Sequence, residues 1–173
     1  MAEDLAAVAV EDLVPRRGDM SWLDTVLSAD DETVVAQATV RPDSYFVRDG
    51  RAPVWVGVEY MAQAIAAEYP GSARAVLFYG SCLRESELDG LMLDFYLIVS
   101  DYEAAYGKSW LAKWNRRLPP NVFPFQHDGL VAKVAVLSEK DFHDLNRPGA
   151  SAVSVWARFA QPARLVWVSD DTA

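Results

Sequence analysis

The 173-residue chain has a single cysteine, Cys82, and only two histidines, His127 and His143. One thiol cannot build an internal disulfide framework or a Cys-based zinc site, and such sparse cysteine fits a reducing compartment. The histidines have no Cys or second His close in sequence, so neither is expected to hold a metal. Long hydrophobic runs are missing too. The longest, Leu91 to Val99, is broken by Asp94 and falls far short of the roughly 20 residues that a membrane helix needs. Positive charge is scarce, with 16 Lys and Arg against 25 Asp and Glu and a net charge of −9. That balance argues against nonspecific nucleic-acid binding. The N-terminus carries Glu3 and Asp4 where a secretory signal would be basic. These features predict a cytoplasmic protein with no nucleic-acid partner.

What is present belongs to a folded protein. Hydrophobic residues make up 51% and charged residues 24% of the chain, enough apolar surface to offset chain entropy. Charge is split unevenly. Residues 1–70 hold thirteen acids against five Arg, whereas 71–173 hold twelve acids against eleven bases, including all four Lys. Such asymmetry predicts two pieces, 1–70 and 71–173, and makes the nearly neutral second piece the better home for an anionic substrate.

Periodicity predicts a short amphipathic helix over Glu3–Leu13, strands over Met20–Leu27 and Thr33–Val40, and a helix over Val54–Glu68 stopped by Pro70-Gly71. Strands follow at Val76–Tyr79, Leu91–Val99, Val131–Leu137, around Val153–Phe159 and at Arg164–Val168. One long helix is expected over Tyr102–Leu118, with Trp110 and Trp114 among its apolar members and Pro119-Pro120 at its end. The Trp110, Trp114, Trp156 and Trp167 indoles are expected in the core or at a membrane edge. Arg116-Arg117 suits a helix C-terminus or a phosphate headgroup.

Asp94 is the chief chemical anomaly, an acid inside a strand otherwise suited to burial. There it needs a cation, several donors or a metal, unless it sits at a strand end or faces solvent. Gly80-Ser81, at the end of a short apolar strand, lets backbone amides approach an anionic group. An acid on the next strand is then placed to hold Mg²⁺ at the same sheet edge, the combination that nucleotidyl transfer requires. Asp89 is a candidate second carboxylate, with Asp101 on the other flank; each is equally a solvated loop acid. Lys133, a cation within the apolar strand Val131–Leu137, either snorkels to water or, if its strand neighbours that of Asp94, contacts phosphate or the carboxylate. Cys82 has no nearby His to activate it and reads as a small filler beside the turn.

The segments Leu77-Phe-Tyr-Gly-Ser81, Met92-Leu-Asp-Phe-Tyr-Leu-Ile-Val99, Ala132-Lys-Val-Ala-Val-Leu-Ser138 and Gln161-Pro-Ala-Arg-Leu-Val166 resemble, in order and rough spacing over residues 72–170, the nucleotidyltransferase core of mitochondrial-type phosphatidate cytidylyltransferases (CDP-diacylglycerol synthases). Met92 stands where the usual Asp-x-Asp pair has its first acid. The resemblance implies that Gly80 and Ser81 hold nucleotide phosphates, that Asp94 binds Mg²⁺ and that Lys133 contacts substrate phosphate, which makes Asp94 and Lys133 the catalytic candidates; Asp89, by its place beside the strand, is the candidate second Mg²⁺ ligand. It further implies CTP and phosphatidate (or a related anionic lipid) as substrates, with CDP-diacylglycerol and pyrophosphate as products. Against that family the core is expected to be truncated at its C-terminus. Peripheral contact with a membrane and a homodimer are compatible with it.

Residues 12–67 resemble something different. Asp49-Gly-Arg-Ala-Pro-Val-Trp-Val-Gly-Val-Glu-Tyr-Met-Ala-Gln-Ala-Ile-Ala-Ala67, preceded by Met20-Ser-Trp-Leu-Asp24, is similar to the N-terminal half of hotdog-fold acyl carrier protein dehydratases of the kind found with aryl polyene gene clusters. Glu59 is then the acid/base residue, its pKa raised by burial on a helix face of apolar and small residues; alternatively it is a rim acid bonded to a loop amide. The catalytic His of related dehydratases would fall near Ser44 or Tyr45, where this chain has none. The expected fold is α+β, a nucleotidyltransferase-like mixed sheet with flanking helices, preceded by a hotdog-like hairpin and helix. The leading expectation is a cytidylyltransferase-like protein. A 3-hydroxyacyl-carrier-protein dehydratase-like module is the alternative, and a non-catalytic hybrid is the third.

Overall fold

The structure, a computed structural model, describes residues 24–29, 34–37, 39, 41, 47, 53–84, 92–127, 130–150 and 152–169. Strands β1 (Thr25–Ala29) and β2 (Val34–Gln37) form an antiparallel two-stranded sheet. Helix α1 (Val54–Ala67) follows, and then β3 (Ala73–Tyr79), β4 (Met92–Val99), α2 (Tyr102–Tyr106), α3 (Trp110–Arg117), β5 (Asn121–His127), β6 (Leu130–Ser138), α4 (Glu139–Asn146), α5 (Trp156–Phe159) and β7 (Ala163–Val168). The second sheet has the order β5-β6-β4-β3-β7. It is mixed, since β4 and β6 run parallel while the other neighbours are antiparallel. The α+β class with a mixed sheet and flanking helices is as expected. The helix predicted over Glu3–Leu13 lies outside the described residues.

The period-2 pattern of the central strands explains how the sheet is covered on both faces. Leu93, Phe95, Leu97 and Val99 of β4 share one core with Val134 and Val136 of β6 and with Met61, Ala62, Ile65 and Ala66 of α1. Tyr96 and Ile98 point the other way, toward Ala135, Leu137, Val155 and Tyr79, with Phe142, Leu145 and Phe159 packed against them. All seven residues from Met61 to Ala67 are buried, the pattern of a helix enclosed on every side. It lies against β2 as well as β3, β4 and β7. The helix of the dehydratase-like segment is thus packed into the core of the five-stranded sheet.

Three expectations are corrected. The single helix predicted over Tyr102–Leu118 is two helices, because Gly107 adopts φ 64° and Ser109 then caps α3 by accepting from the Ala112 amide. The segment around Val153–Phe159 is a turn leading into α5, with its own i→i−4 bond from the Ala157 amide to the Val153 carbonyl, and it pairs with no strand. Trp110, Trp114 and Trp156 are exposed, so of the four tryptophans expected in the core or at a membrane edge only Trp167 lies in the core. β5 has no counterpart among the expected strands, and it places His127 at a strand end.

Candidate functional site

The C-terminal ends of β3 and the facing end of β4 bring several polar groups onto one face of the sheet. Asp94 pairs in register with Tyr79 on one side and with Lys133 on the other. Residues opposite each other across adjacent strands project to the same face, so Asp94 and Lys133 share it. Tyr96, two residues on, projects there too. This end of the face is only partly covered, which leaves Asp94 half-buried and Lys133 exposed.

Gly80 follows directly on β3, with φ 96°. A Cβ at this position would stand 2.9 Å from Asp94 Oδ2, so both the backbone conformation and the close approach of the carboxylate require glycine. Ser81 opens a 3-10 turn, Ser81–Arg84, beside the Asp94 strand; its side chain, like the whole of Asp89, lies outside the described residues. Cys82 is buried and its thiol donates to the Met92 carbonyl at 3.4 Å, in keeping with a filler that ties the turn to β4.

Arg158 on α5 was not singled out in the sequence, yet it completes the cluster. Its Nη1 donates to the Tyr79 hydroxyl at 3.3 Å and to the Tyr96 hydroxyl at 3.4 Å. The two tyrosine rings lie 4.9 Å apart, and Phe159 packs 5.0 Å from Tyr96. The guanidinium is therefore held by the two phenol hydroxyls on the sheet face that carries Asp94. Burial pushes the Asp94 carboxyl above its usual range, while Lys133 and Arg158 pull it back in part. Burial likewise pushes the Tyr79 phenol up to about 12, helped by Tyr96 and Asp94 and opposed by Arg158. Neither Lys133 nor Arg158 closes an ion pair among the described residues. Two cations held beside one partly desolvated carboxylate make a locally positive site in an acidic protein, suited to an anionic group.

As to metals, no group of three His, Cys, Asp or Glu side chains that could hold an ion occurs among the described residues. Asp94 offers one carboxylate, which matches the one or two that Mg²⁺ takes when phosphate and water complete its shell. His143 is an exposed residue of α4 beside Asp144.

The second candidate, Glu59, is half-buried on α1. One turn further along, on the same helix face, Gln63 is completely buried. Neither its amide nitrogen nor its oxygen has a hydrogen-bond partner among the described residues. Gln63 was legible only as part of the Glu-x-Met-Ala-Gln string and was given no role of its own. Asp94 and Glu59 belong to different surroundings. Asp94 lies on the sheet face lined by Tyr79, Tyr96 and Phe159, whereas α1 packs on the opposite face.

Comparison with known proteins bears on the first part of the chain. A family described as ApeP-like, ApeP dehydratase, matches residues 8–75, which supports the dehydratase-like reading of that segment. The match covers α1 with Glu59 and Gln63 and ends in β3. The comparisons bring no support to the nucleotidyltransferase resemblance of residues 72–170. No curated protein and no solved structure matches the chain. No helix among the described residues is long and apolar enough to cross a membrane.

Proposed function

We propose that the first part of the chain is a dehydratase-like module acting on 3-hydroxyacyl thioesters, with Glu59 as its proton-transfer group. The observation that carries this reading is the position of Glu59, half-buried on α1, the one helix among the described residues of the segment that matches the dehydratase family. Elimination removes a proton from C2 and hydroxide from C3, giving a 2-enoyl thioester and water. A carboxylate at Glu59 takes the C2 proton, or its acid form protonates the departing hydroxyl. The test is incubation of the full chain with a 3-hydroxyacyl pantetheine thioester, followed by mass spectrometry for loss of water. The reading expects turnover that Glu59→Gln abolishes. No turnover, or turnover unchanged in Glu59→Gln, rejects it.

A second reading is favoured by a separate observation, the register that puts Asp94 between Tyr79 and Lys133 beside the Gly80 turn. On this reading the cluster binds a nucleotide phosphate in a cytidylyltransferase-like reaction of CTP with phosphatidate. Gly80 and Ser81 form the phosphate turn, and Lys133 neutralises phosphate charge. A Mg²⁺ ion held by Asp94 would supply charge neutralisation on the triphosphate. Thermal stabilisation by CTP with Mg²⁺ that disappears in Asp94→Asn supports it. If neither CTP nor an acyl-pantetheine ligand shifts the melting temperature, a non-catalytic hybrid is favoured.

A further inference from the structure

Helix α3 turns its tryptophans and its cations outward. Its inward residues are Ala112 and Asn115, and Asn115 fixes the helix rotation by donating to the Val136 carbonyl at 3.0 Å and accepting from the Asn121 amide. At 3.6 residues per turn, Trp110, Lys113, Trp114 and Arg117 are then turned outward together. Trp110 is 68% exposed and Trp114 52%, and Leu118, next along the i, i+4 row, is 66% exposed. Trp110, Lys113, Trp114, Arg116 and Arg117 line a shallow surface depression. Arg116, at its flank, pairs with Glu103 at 3.2 Å. Lys113 and Arg117 form no ion pair among the described residues.

We propose that this outward face of α3 docks on the surface of an anionic lipid bilayer. Charge complementarity and side-chain type carry the argument. The face offers indole N–H and cationic donors, has no carboxylate or amide acceptor among Trp110, Lys113, Trp114, Arg117 and Leu118, and sets an apolar row beside them. A headgroup layer provides phosphate and ester acceptors above acyl chains, where tryptophan settles and long cationic side chains reach to phosphate. An acidic peptide would satisfy the cations and leave the apolar row uncovered. Carboxylates more than about 8 Å from a docked surface are screened at physiological salt, so the chain's net charge of −9 opposes docking mainly through the acids nearest α3. The inference stands without the dehydratase reading and accords with the anionic lipid substrate of the cytidylyltransferase-like one, whose own test, stabilisation by CTP with Mg²⁺, is separate from vesicle binding.

The experiment is vesicle co-sedimentation of the full chain, with phosphatidylcholine vesicles and with phosphatidylcholine–phosphatidylglycerol vesicles. Binding is expected to the anionic vesicles and to weaken with added salt. The double variant Lys113→Glu/Arg117→Glu should lower that partitioning by about tenfold or more. Trp110→Ala/Trp114→Ala should also lower it, without lowering the thermal midpoint, because both side chains are exposed. Absence of binding to anionic vesicles overturns the proposal. So does binding that both double variants retain, or capture of a single-stranded oligonucleotide or acidic peptide in place of vesicles.

Discussion

Asp94 on β4 stands directly opposite Lys133 on β6 in the parallel register, with the Arg158 guanidinium close enough to bias its ionisation. Desolvation still prevails, and the carboxyl titrates above its ordinary range. A raised carboxyl pKa means that the folded state holds the proton more tightly than the unfolded chain does. The stabilising contribution is therefore fully present below the unfolded value of about 3.9 and is lost as pH rises through the folded value. At neutral pH the ionised Asp94 is a burden. Asp94→Asn should accordingly melt at a higher temperature than the unaltered protein at about pH 7, and the difference should vanish below about pH 4. Thermal melts of both proteins across this range check it; a variant less stable at neutral pH contradicts the assignment.

Gly80 and Gly71 allow a controlled measurement of the close approach at the turn. Both have positive φ, but a Cβ at Gly71 meets nothing within 4 Å whereas one at Gly80 meets Asp94 Oδ2 at 2.9 Å. Gly71→Ala should cost only the backbone conformation, about 1–2 kcal/mol. Gly80→Ala should cost more, up to about 3 kcal/mol, because the carboxylate must also move. Urea denaturation of the two variants gives the comparison. Equal losses would mean that the carboxylate yields freely and that the turn does not fix it.

Much of this architecture could be read from the sequence, and the exceptions have physical causes. α1, β4 and β6 follow their apolar periodicity, and Asp94 and Lys133 stand out as charges within apolar strands, but that they share a face follows only from the pairing of β4 with β6. β5 was hidden by Pro124, which removes an amide and argues against a central strand. β5 is an edge strand, paired only with β6, and there the missing amide is tolerated. The break at Gly107 was masked by aromatic spacing that continues across it. Arg158 was invisible as a site residue because its segment, Val153–Phe159, reads as a strand. Its tyrosine partners come from 62 and 79 positions away in the chain. The outward tryptophans of α3 follow from Asn115, a residue that hydropathy does not select for a core.

Gln63 makes a prediction of the opposite sign to most core substitutions. It is fully buried in α1 with both amide atoms unpartnered among the described residues. Leaving such a group without hydrogen bonds costs about 1–3 kcal/mol. Gln63→Met keeps the length and removes the polar atoms. Its unfolding free energy should rise by about 1–2 kcal/mol, measured by chemical denaturation. A loss of stability of similar size would show that the amide is satisfied in solution, by water or by a group from outside the described residues.

Asn115 gives the converse case, a buried amide whose bonds are made. Its Nδ2 donates to the Val136 carbonyl in β6, and its Oδ1 accepts from the backbone amide that opens β5. One side chain therefore joins α3 to the middle of one strand and to the start of its neighbour. Asn115→Ala removes both bonds, leaving a carbonyl and an amide unsatisfied in a closed environment. At about 1–3 kcal/mol for each group, the loss should be about 2–6 kcal/mol, less whatever water can restore. Asn115→Asp retains the acceptor but replaces the donor with a buried charge, so it should be no better than alanine at neutral pH and should recover on acidification as the carboxyl protonates. Urea titrations at neutral and acidic pH separate the two variants. Should Asn115→Ala be as stable as the unaltered protein, α3 is not anchored through this side chain, and the outward placement of Trp110 and Trp114 needs another cause.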